Sequence, residues 1–379
     1  MVLLAKFKCG LEIENRFVIA PLTTNASHED GTATDSEIAF FRRRAASGFG
    51  AVHFIRRVWR RRRRAIPGAG LRATHDGHLP RLRALADVKA SRGRPGDPAD
   101  LRRGRIAIPE IIGENRIRAA SAIPSLRPNA RTPRAMTSDE IESLVASFGR
   151  AATLARQAGF DGVEIHGANH YAVHQFFSPR ANQRTDHWGG TLAKRMNFPI
   201  AVARAVRDAL GPKLIAGFRV TPFEAEPEGY KLDDAKLLCD ALAGLGLDYL
   251  SISLDDYRLS QPMSETRVYT VSFEQMHTAS ESPITAFSRV VGGRCAIMAS
   301  GGIKTAADAE AAIELGADVV AIGRAVVVDP EWLTKVRRRA EASIIPGLPR
   351  DETTIADALS IPPRMVEYLL SRPGWIPRL

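Results

Sequence analysis

The sequence predicts an α/β protein that folds as a single-domain (β/α)8 TIM barrel. Short, continuously apolar segments alternate with helical segments, a pattern typical of a parallel sheet covered on its outer face. Eight such units over roughly 340 residues favour a closed barrel over an open sheet. A dinucleotide-binding sheet would also need a glycine-rich turn after its first strand, and residues 21–24 (PLTT) contain no glycine.

The strands and helices alternate along the chain, apart from residues 56–105. The predicted strands are residues 17–22, 50–55, 159–166, 213–220, 247–254, 295–300 and 317–323. The predicted helices are residues 35–48, 137–158, 194–210, 232–245, part of 270–291, 305–315 and 330–342. Thr137 followed three residues later by Glu140 is a capping box, which marks a helix start. We assign residues 1–342 to the barrel and 343–379 to a C-terminal extension that packs on it.

Composition narrows the classes of function. An apolar fraction of 45% and a charged fraction of 25% are those of a globular chain. The apolar stretches are shorter than the roughly 20 residues needed to cross a bilayer, and the N-terminal one is too short for a signal peptide. We therefore expect a cytoplasmic protein with no membrane partner. Cys9, Cys239 and Cys295 form no CxxC pair, so no disulfide framework and no metal site is predicted.

The formal net charge of +11 comes from one segment. Residues 56–105 contain fifteen arginines and one lysine against four aspartates, a net charge of +12, which leaves −1 for all other residues. Seven of the nine residues from 56 to 64 are arginine. Such a run is usually a solvated loop, and Trp59 is its only aromatic residue, so a nucleic-acid partner is not favoured.

The segments that follow the predicted strands carry a candidate phosphate site. In a barrel of this class, chemistry is located at the carboxyl ends of the strands. Ser300, Gly301 and Gly302 follow the seventh strand, and Gly323 and Arg324 follow the eighth. Backbone N–H groups on these two loops beside a guanidinium are typical of a phosphate site. The alternative is two ordinary glycine turns and a surface arginine.

Polar residues also follow the fourth and fifth predicted strands. His166, Asn169 and Tyr171 can direct two hydrogen-bond donors and a phenolic proton at one substrate, because tyrosine stays protonated at neutral pH. Each of them alone would more often be structural. Arg219 ends an apolar strand, where a cation requires an anion or an electron-rich ring edge. The alternative is an ion pair with Glu224 or Glu226.

These residues together resemble the old yellow enzyme family of FMN-dependent ene reductases and NAD(P)H:flavin oxidoreductases. The strongest match is residues 160–199, which contain HGAN-Y, QFFSP, RTD and WGG. Supporting matches are residues 15–24, 121–141, 217–222, 299–303 and 322–332. Residues 27–32 and the C-terminal RPGWIP (372–377) are similar to a branch that contains YqiG-like proteins.

The resemblance implies that FMN binds in the barrel, with NADH or NADPH as the reductant. Pro21, Leu22 and Thr23 would lie under the flavin, with Thr23 near its N5/O4 edge. Arg219 would face the N1/O2 edge. The phosphate would be held by the residues after the last two strands, Ser300, Gly301, Gly302, Gly323 and Arg324.

The resemblance also implies a small-molecule substrate, an alkene activated by a carbonyl or nitro group. His166 and Asn169 would bind the activating group, and Tyr171 would supply the proton. The implied reaction is ping-pong: the nicotinamide reduces the flavin, and the flavin then reduces the alkene. Relatives often form dimers or tetramers, which leaves a homo-oligomer open.

Residues 56–105 depart from the family pattern. They contain no glutamine, although relatives carry one there for the flavin pyrimidine edge. Pro95, Asp97, Pro98 and Asp100 stand where relatives have a third strand like AILQIY, so we expect irregular structure in the second and third units. Reading GCG-ATC-CTG-CAG-ATC-TAC for AILQIY from its third base gives Asp-Pro-Ala-Asp-Leu, the sequence of residues 97–101. We interpret the segment as two compensated frame shifts in the gene or in its recorded sequence.

Three functions remain open at this point. The first is an FMN-dependent ene reductase that uses NADH or NADPH. The second is a degenerate, inactive relative with impaired flavin binding, because units two and three are damaged. The third is a nucleic-acid or anionic-surface binder that uses the arginine run, which steep salt dependence of binding would support.

Overall fold

The structure of the chain is a computed structural model. It describes residues 2–5, 7–9, 11–28, 30–57, 75–90, 96–101, 104–107, 117–226, 228–258 and 281–379. The strands in these residues are β1 (Phe7–Cys9), β2 (Leu11–Ile13), β3 (Phe17–Leu22), β4 (Ala51–Arg57), β5 (Gly96–Leu101), β6 (Arg118–Ala119), β7 (Arg134–Ala135), β8 (Gly162–Gly167), β9 (Ile215–Val220), β10 (Tyr249–Ser253), β11 (Ala296–Ser300) and β12 (Val319–Ile322).

Eight of these strands form a closed, parallel barrel. The order around the ring is β3, β4, β5, β8, β9, β10, β11 and β12, which pairs again with β3. Closure pairs the backbone of each strand on both sides and leaves no edge exposed to other chains. The short strands β1 and β2 form an antiparallel pair, and β6 pairs with β7, both outside the barrel.

Helices follow most barrel strands and cover the ring. They are α1 (Asp35–Ala46), α2 (Leu79–Ala90), α3 (Ser138–Gln157), α4 (Ala172–Phe177), α5 (Leu192–Leu210), α6 (Leu232–Ala243), α7 (Pro283–Val291), α8 (Ala306–Glu314), α9 (Arg324–Val328), α10 (Trp332–Arg337), α11 (Ile355–Leu359) and α12 (Pro363–Leu370). The predicted capping box of α3 is confirmed, since Thr137 and Glu140 each accept from the other's backbone N–H. Of the helices that the structure describes, none is long and apolar enough to cross a membrane.

Strand β5 shows that one expectation was wrong. The third unit was expected to be irregular where relatives have a strand, yet β5 pairs with β4 over six residues and with β8 at Ala99 and Asp100. The cause is non-local: without β5, β4 and β8 would leave rows of backbone N–H and C=O groups unpaired. Irregularity of the second unit stays a prediction, because residues 58–74, with most of the arginine run, lie outside the described residues.

The core has an inner and an outer layer. Small side chains fill the lower barrel interior, together with Tyr249 and Met298. The outer layer lies between strands and helices and includes the fully buried Trp332, whose ring meets Phe17 edge-on and stacks near Phe49. These aromatic contacts pack α10 against the start of β3 and the residues just before β4.

The C-terminal extension is tied to the barrel through α1. The buried Arg44 guanidinium donates to the carbonyls of Val326 and Val327 in α9 and to that of Leu359 in α11. Its neighbour Arg43 donates to Ala358 O at 2.8 Å. Further along, Leu348 N donates to Pro377 O at 2.9 Å, which holds the tail in place. These hydrogen bonds hold the extension against α1.

Candidate active site

A cleft at the carboxyl end of the barrel contains most of the residues predicted to bind a cofactor. It is lined by Ala20, Pro21, Leu22, Arg219, Leu254, Asp255, Ser300, Gly301, Gly302, Ile303, Lys304, Ala321, Gly323, Arg324 and Trp375. Eight of the nine predicted cofactor residues are in this set. The ninth, Thr23, follows Leu22 directly and is half-buried, but it does not line the cleft.

The two glycines after β11 have backbone conformations that other residues rarely adopt. Gly301 has φ of +111° and Gly302 has φ of +68°. A Cβ atom on Gly302 would lie 2.7–2.9 Å from the Asp256 carboxyl group, and one on Gly301 would collide with Leu254 O at 2.4 Å. Glycine is therefore required at both positions, and it lets the backbone form the cleft wall.

Arg219 lies in the cleft, and its buried Nε–H group has no hydrogen-bond partner in the described part of the chain. It is the fifth residue of β9 and is in register with His166 of β8 and Ser251 of β10. Its Nη2 lies 3.4 Å from Ser300 Oγ. An unpaired buried donor is costly, so the site is complementary to an acceptor atom on a bound molecule.

The acidic neighbour of Arg219 is Glu164, inside the barrel. Burial lowers the pKa of Arg219, and the charge of Glu164 opposes that shift. Burial raises the pKa of Glu164, against the charge of Arg219 and the hydrogen bond that Tyr249 Oη donates at 3.1 Å. The alternative considered from the sequence, an ion pair of Arg219 with Glu224 or Glu226, does not occur within the described residues.

His166, Asn169 and Tyr171 lie together beside the cleft. The ring centroids of His166 and Tyr171 are 5.0 Å apart. Ser253 Oγ donates to Asn169 Oδ1 at 3.0 Å, and Asn169 N donates to Thr221 Oγ1 at 3.0 Å. These contacts engage the amide oxygen of Asn169 and leave its nitrogen to act as a donor. The loop thus presents an imidazole, an amide nitrogen and a phenol at the end of the barrel where Arg219 lies.

His166 is held neutral by its surroundings. Burial, and then the charge of Arg219, hold the pKa of His166 well below its ordinary value of 6.5. A neutral imidazole still offers one N–H donor, which suits a carbonyl or nitro oxygen without placing a second buried charge beside Arg219.

The buried His166 is expected to make stability pH-dependent. An unfolded chain takes up a proton there near pH 6.5, whereas the folded chain resists it, so stability is lost as the pH falls below that value. We expect His166→Gln to flatten this loss by up to about 1.4 kcal/mol per pH unit between pH 6.5 and 5, measured by urea unfolding. His187→Gln, at an exposed histidine, is the control. Equal slopes in wild type and His166→Gln would contradict this account.

Charged residues surround the end of the cleft at Gly301 and Gly323. Arg324 Nη2 lies 3.3 Å from Asp255 O. The cleft is lined by three cations, Arg219, Lys304 and Arg324, against one carboxylate, Asp255. The nearby Asp256 carboxylate is paired with Arg258 at 2.6 Å, which offsets its negative charge. The local balance therefore favours an anion.

Sequence reasoning missed two parts of this end of the barrel. Trp375 comes from the C-terminal extension, and its only signal was the RPGWIP motif. His170, His174 and Glu224 form a buried cluster behind the loop that carries Tyr171. Burial raises the pKa of Glu224, but hydrogen bonds from His174 and Ser178 and the histidine charges outweigh it and hold the value at about 2. The histidine spacing of four residues was the available signal.

A family comparison fits this geometry. The model of the NADH:flavin oxidoreductase / NADH oxidase family matches residues 106–342, beginning directly after the arginine-rich segment. The chain is 34% identical over 377 residues to the probable NADH-dependent flavin oxidoreductase YqiG of Bacillus subtilis, covering 98% of this chain and 96% of that protein.

Two further comparisons extend this picture. The chain is 35% identical over 333 residues to an NADH:acrylate oxidoreductase of Vibrio harveyi, covering 87% of this chain but 32% of that longer protein. The old yellow enzyme structure from Trypanosoma cruzi has a TM-score of 0.73 at 23% identity, over 89% of this chain and 92% of that one. The structural likeness concerns the fold alone.

Proposed function

Because the chain belongs to the NADH:flavin oxidoreductase / NADH oxidase family, we propose that it binds FMN in the cleft and uses NADH or NADPH to reduce an activated alkene. The membership confirms the resemblance drawn from the motifs and makes the chain an oxidoreductase. The observation that carries the proposal is the single cleft lined by eight predicted cofactor residues, with the unpaired Nε of Arg219 inside it.

The residues present fit FMN at both ends of the cleft. Gly301, Gly302, Gly323 and Arg324 would hold the phosphate, where backbone N–H groups and a guanidinium meet. Arg219 would donate to the pyrimidine edge of the ring. When bound, FMN would supply the hydride chemistry between nicotinamide and substrate.

The protein's own contribution is to orient the substrate and deliver a proton. His166 and Asn169 would each donate a hydrogen bond to the activating oxygen, which draws electron density from the double bond. Tyr171 Oη would give its proton to the carbon next to the activating group, while the other carbon receives the hydride. Solvent would then reprotonate Tyr171. The net change is one hydride and one proton added across the double bond, and one nicotinamide oxidised.

Replacing Arg324 tests the phosphate assignment. We expect Arg324→Met to weaken FMN binding by about 10- to 100-fold, because a charge-assisted contact to the phosphate is lost. Riboflavin has the same ring without the phosphate, so its affinity should not change. The dissociation constants of FMN and of riboflavin are both measured by titration monitored by flavin fluorescence.

Arg338→Met, at an exposed arginine that does not line the cleft, is the matched control. Equal losses of FMN and riboflavin affinity in Arg324→Met would show that Arg324 maintains the fold of the cleft and does not bind phosphate.

The name of the Vibrio harveyi relative, NADH:acrylate oxidoreductase, supports an activated alkene as the substrate. Acrylate is an alkene conjugated to a carboxylate. A small conjugated enone such as cyclohexenone is a suitable first substrate. Comparing it with acrylate and nitrostyrene, each under NADH and NADPH, defines the activating group and the preferred reductant.

A further inference from the structure

Behind the active-site loop, three side chains that commonly bind metal ions converge. His170, His174 and Glu224 are all buried, and one ligand atom of each lies within 4.8 Å of the others. Glu224 Oε1 is 3.0 Å from His174 Nε2 and 3.7 Å from His170 Nδ1. The carboxylate comes from the loop after β9, His170 comes from the loop after β8, and His174 comes from α4.

The carboxylate is oriented by contacts on its other oxygen. Ser178 Oγ donates to Glu224 Oε2 at 2.7 Å, and Tyr230 N donates to the same atom at 3.2 Å. These bonds direct Oε1 at the two imidazoles. Metal-binding carboxylates are commonly held in this way by hydrogen bonds outside the ligand set.

The imidazole of His174 is held on both sides of its ring. Its Nδ1 lies 3.4 Å from Tyr230 Oη, which donates to Thr221 O at 2.8 Å. Its Nε2 lies 3.0 Å from Glu224 Oε1. These contacts direct Nε2 at the carboxylate, and metal-binding imidazoles are commonly oriented in this way through their second nitrogen.

We propose that His170, His174 and Glu224 bind one divalent transition-metal ion of the zinc class. Zinc takes imidazole and carboxylate ligands at about 2.0–2.2 Å in tetrahedral geometry, which separates the ligand atoms by roughly 3.3 Å. The two separations from Glu224 Oε1, 3.0 Å and 3.7 Å, lie around this value. All three ligand atoms lie within 4.8 Å of one another, so side-chain shifts would bring the histidines to the ion. The proposal differs from the expectation from the sequence that the chain has no metal site, which rested on its cysteines alone.

The ion would fix the loop that carries the proposed catalytic residues. His170 lies between Asn169 and Tyr171 in the chain, and both Asn169 and His170 have positive φ values, +55° and +60°. A bond from His170 through the ion to Glu224 would tie this strained turn to the β9 loop. The inference goes beyond the proposed function, because metal binding does not require FMN.

The test is metal analysis of the full-length protein. Because the cluster is buried, the ion must be supplied during synthesis, so the protein is produced in medium supplemented with zinc or with cobalt. We expect about one zinc per chain by atomic emission, and visible d–d absorption bands of tetrahedral cobalt in the cobalt form. His174→Gln should lose both signals. His170→Gln, at the longer contact, should lose them while keeping the wild-type circular dichroism.

Two variants control for other sites and for structural effects. His75→Gln changes a second histidine pair, His75 and His78, whose rings are 4.1 Å apart, and should leave the metal content unchanged. Ser178→Ala should weaken zinc binding by about 10-fold, because the carboxylate loses an orienting bond. Zinc-free wild-type protein without cobalt bands would overturn the proposal in favour of a direct hydrogen bond between His174 and Glu224. Retention of the metal by both His170→Gln and His174→Gln would overturn it in favour of another site.

Discussion

Tyr171→Phe is expected to slow alkene reduction by about 10²- to 10⁴-fold, the usual contribution of a positioned general acid. Phenylalanine keeps the aromatic ring beside His166 and removes the hydroxyl alone. Flavin reduction by NADH needs no proton from this residue, so that half-reaction should change by less than about 2-fold. Stopped-flow measurement of the two half-reactions, with cyclohexenone as oxidant, separates them.

Tyr368→Phe provides the matched control for Tyr171. Tyr368 lies in α12, where its ring packs 6.0 Å from that of Trp375, and its loss of a hydroxyl should change neither half-reaction. If Tyr171→Phe reduced cyclohexenone at the wild-type rate, Tyr171 would not be the proton donor. The loop would then serve substrate binding through His166 and Asn169.

Arg44→Met is expected to destabilise the fold by about 2–4 kcal/mol. The Arg44 side chain is fully buried and donates to the carbonyls of Phe40, Val326, Val327 and Leu359, at 2.8–3.1 Å. Methionine preserves the apolar stem but leaves these carbonyls unpaired. Removing the buried charge offsets part of the loss, because burial holds the pKa of Arg44 well below its ordinary value. Urea unfolding measures the difference.

Arg42→Met in the same helix is the control, since Arg42 is exposed and should change stability by less than about 0.5 kcal/mol. The loss of stability in Arg44→Lys should lie between those of Arg42→Met and Arg44→Met, because one ammonium group cannot reach all four carbonyls. An unchanged unfolding midpoint in Arg44→Met would mean that the junction of α1, α9 and α11 does not depend on this side chain.

Local sequence patterns predicted most of the barrel. The run FVIAPL matches β3 residue for residue, and the helix that starts after Thr137 ends one residue earlier than expected. Parallel barrel strands are buried on both faces, so each is a short apolar run that can be recognised without its neighbours. The residues of the candidate site could then be predicted, because the active site of a barrel lies at the carboxyl ends of its strands.

Features that depend on distant residues could not be predicted in this way. Strand β5 has the sequence Gly-Asp-Pro-Ala-Asp-Leu, which disfavours a strand locally, and its place is set by the edges of β4 and β8. The contact of His174 with Glu224 spans fifty residues. Trp375 reaches the cleft through the C-terminal extension, and the RPGWIP motif that contains it did not indicate which part of the barrel it would contact.

Strand β5 bears on the completeness of the proposed flavin site. The resemblance to old yellow enzymes implies a glutamine at this strand for the pyrimidine edge, and residues 96–101 contain none. Arg219, with its unpaired Nε, would then be the main donor to that edge. Measuring whether FMN still binds separates a working enzyme from the degenerate relative that the sequence left open.

The visible absorption spectrum of the purified protein, before and after addition of FMN, tests the proposed flavoenzyme most directly. We expect flavin bands whose shape changes on binding and that bleach when NADH or NADPH is added without oxygen. Arg324→Met should need more FMN to reach the same spectrum. An FMN spectrum that the protein leaves unperturbed, with no bleaching beyond the rate of the free mixture, would contradict the account. The chain would then have the fold and the ancestry of a flavin oxidoreductase without its chemistry.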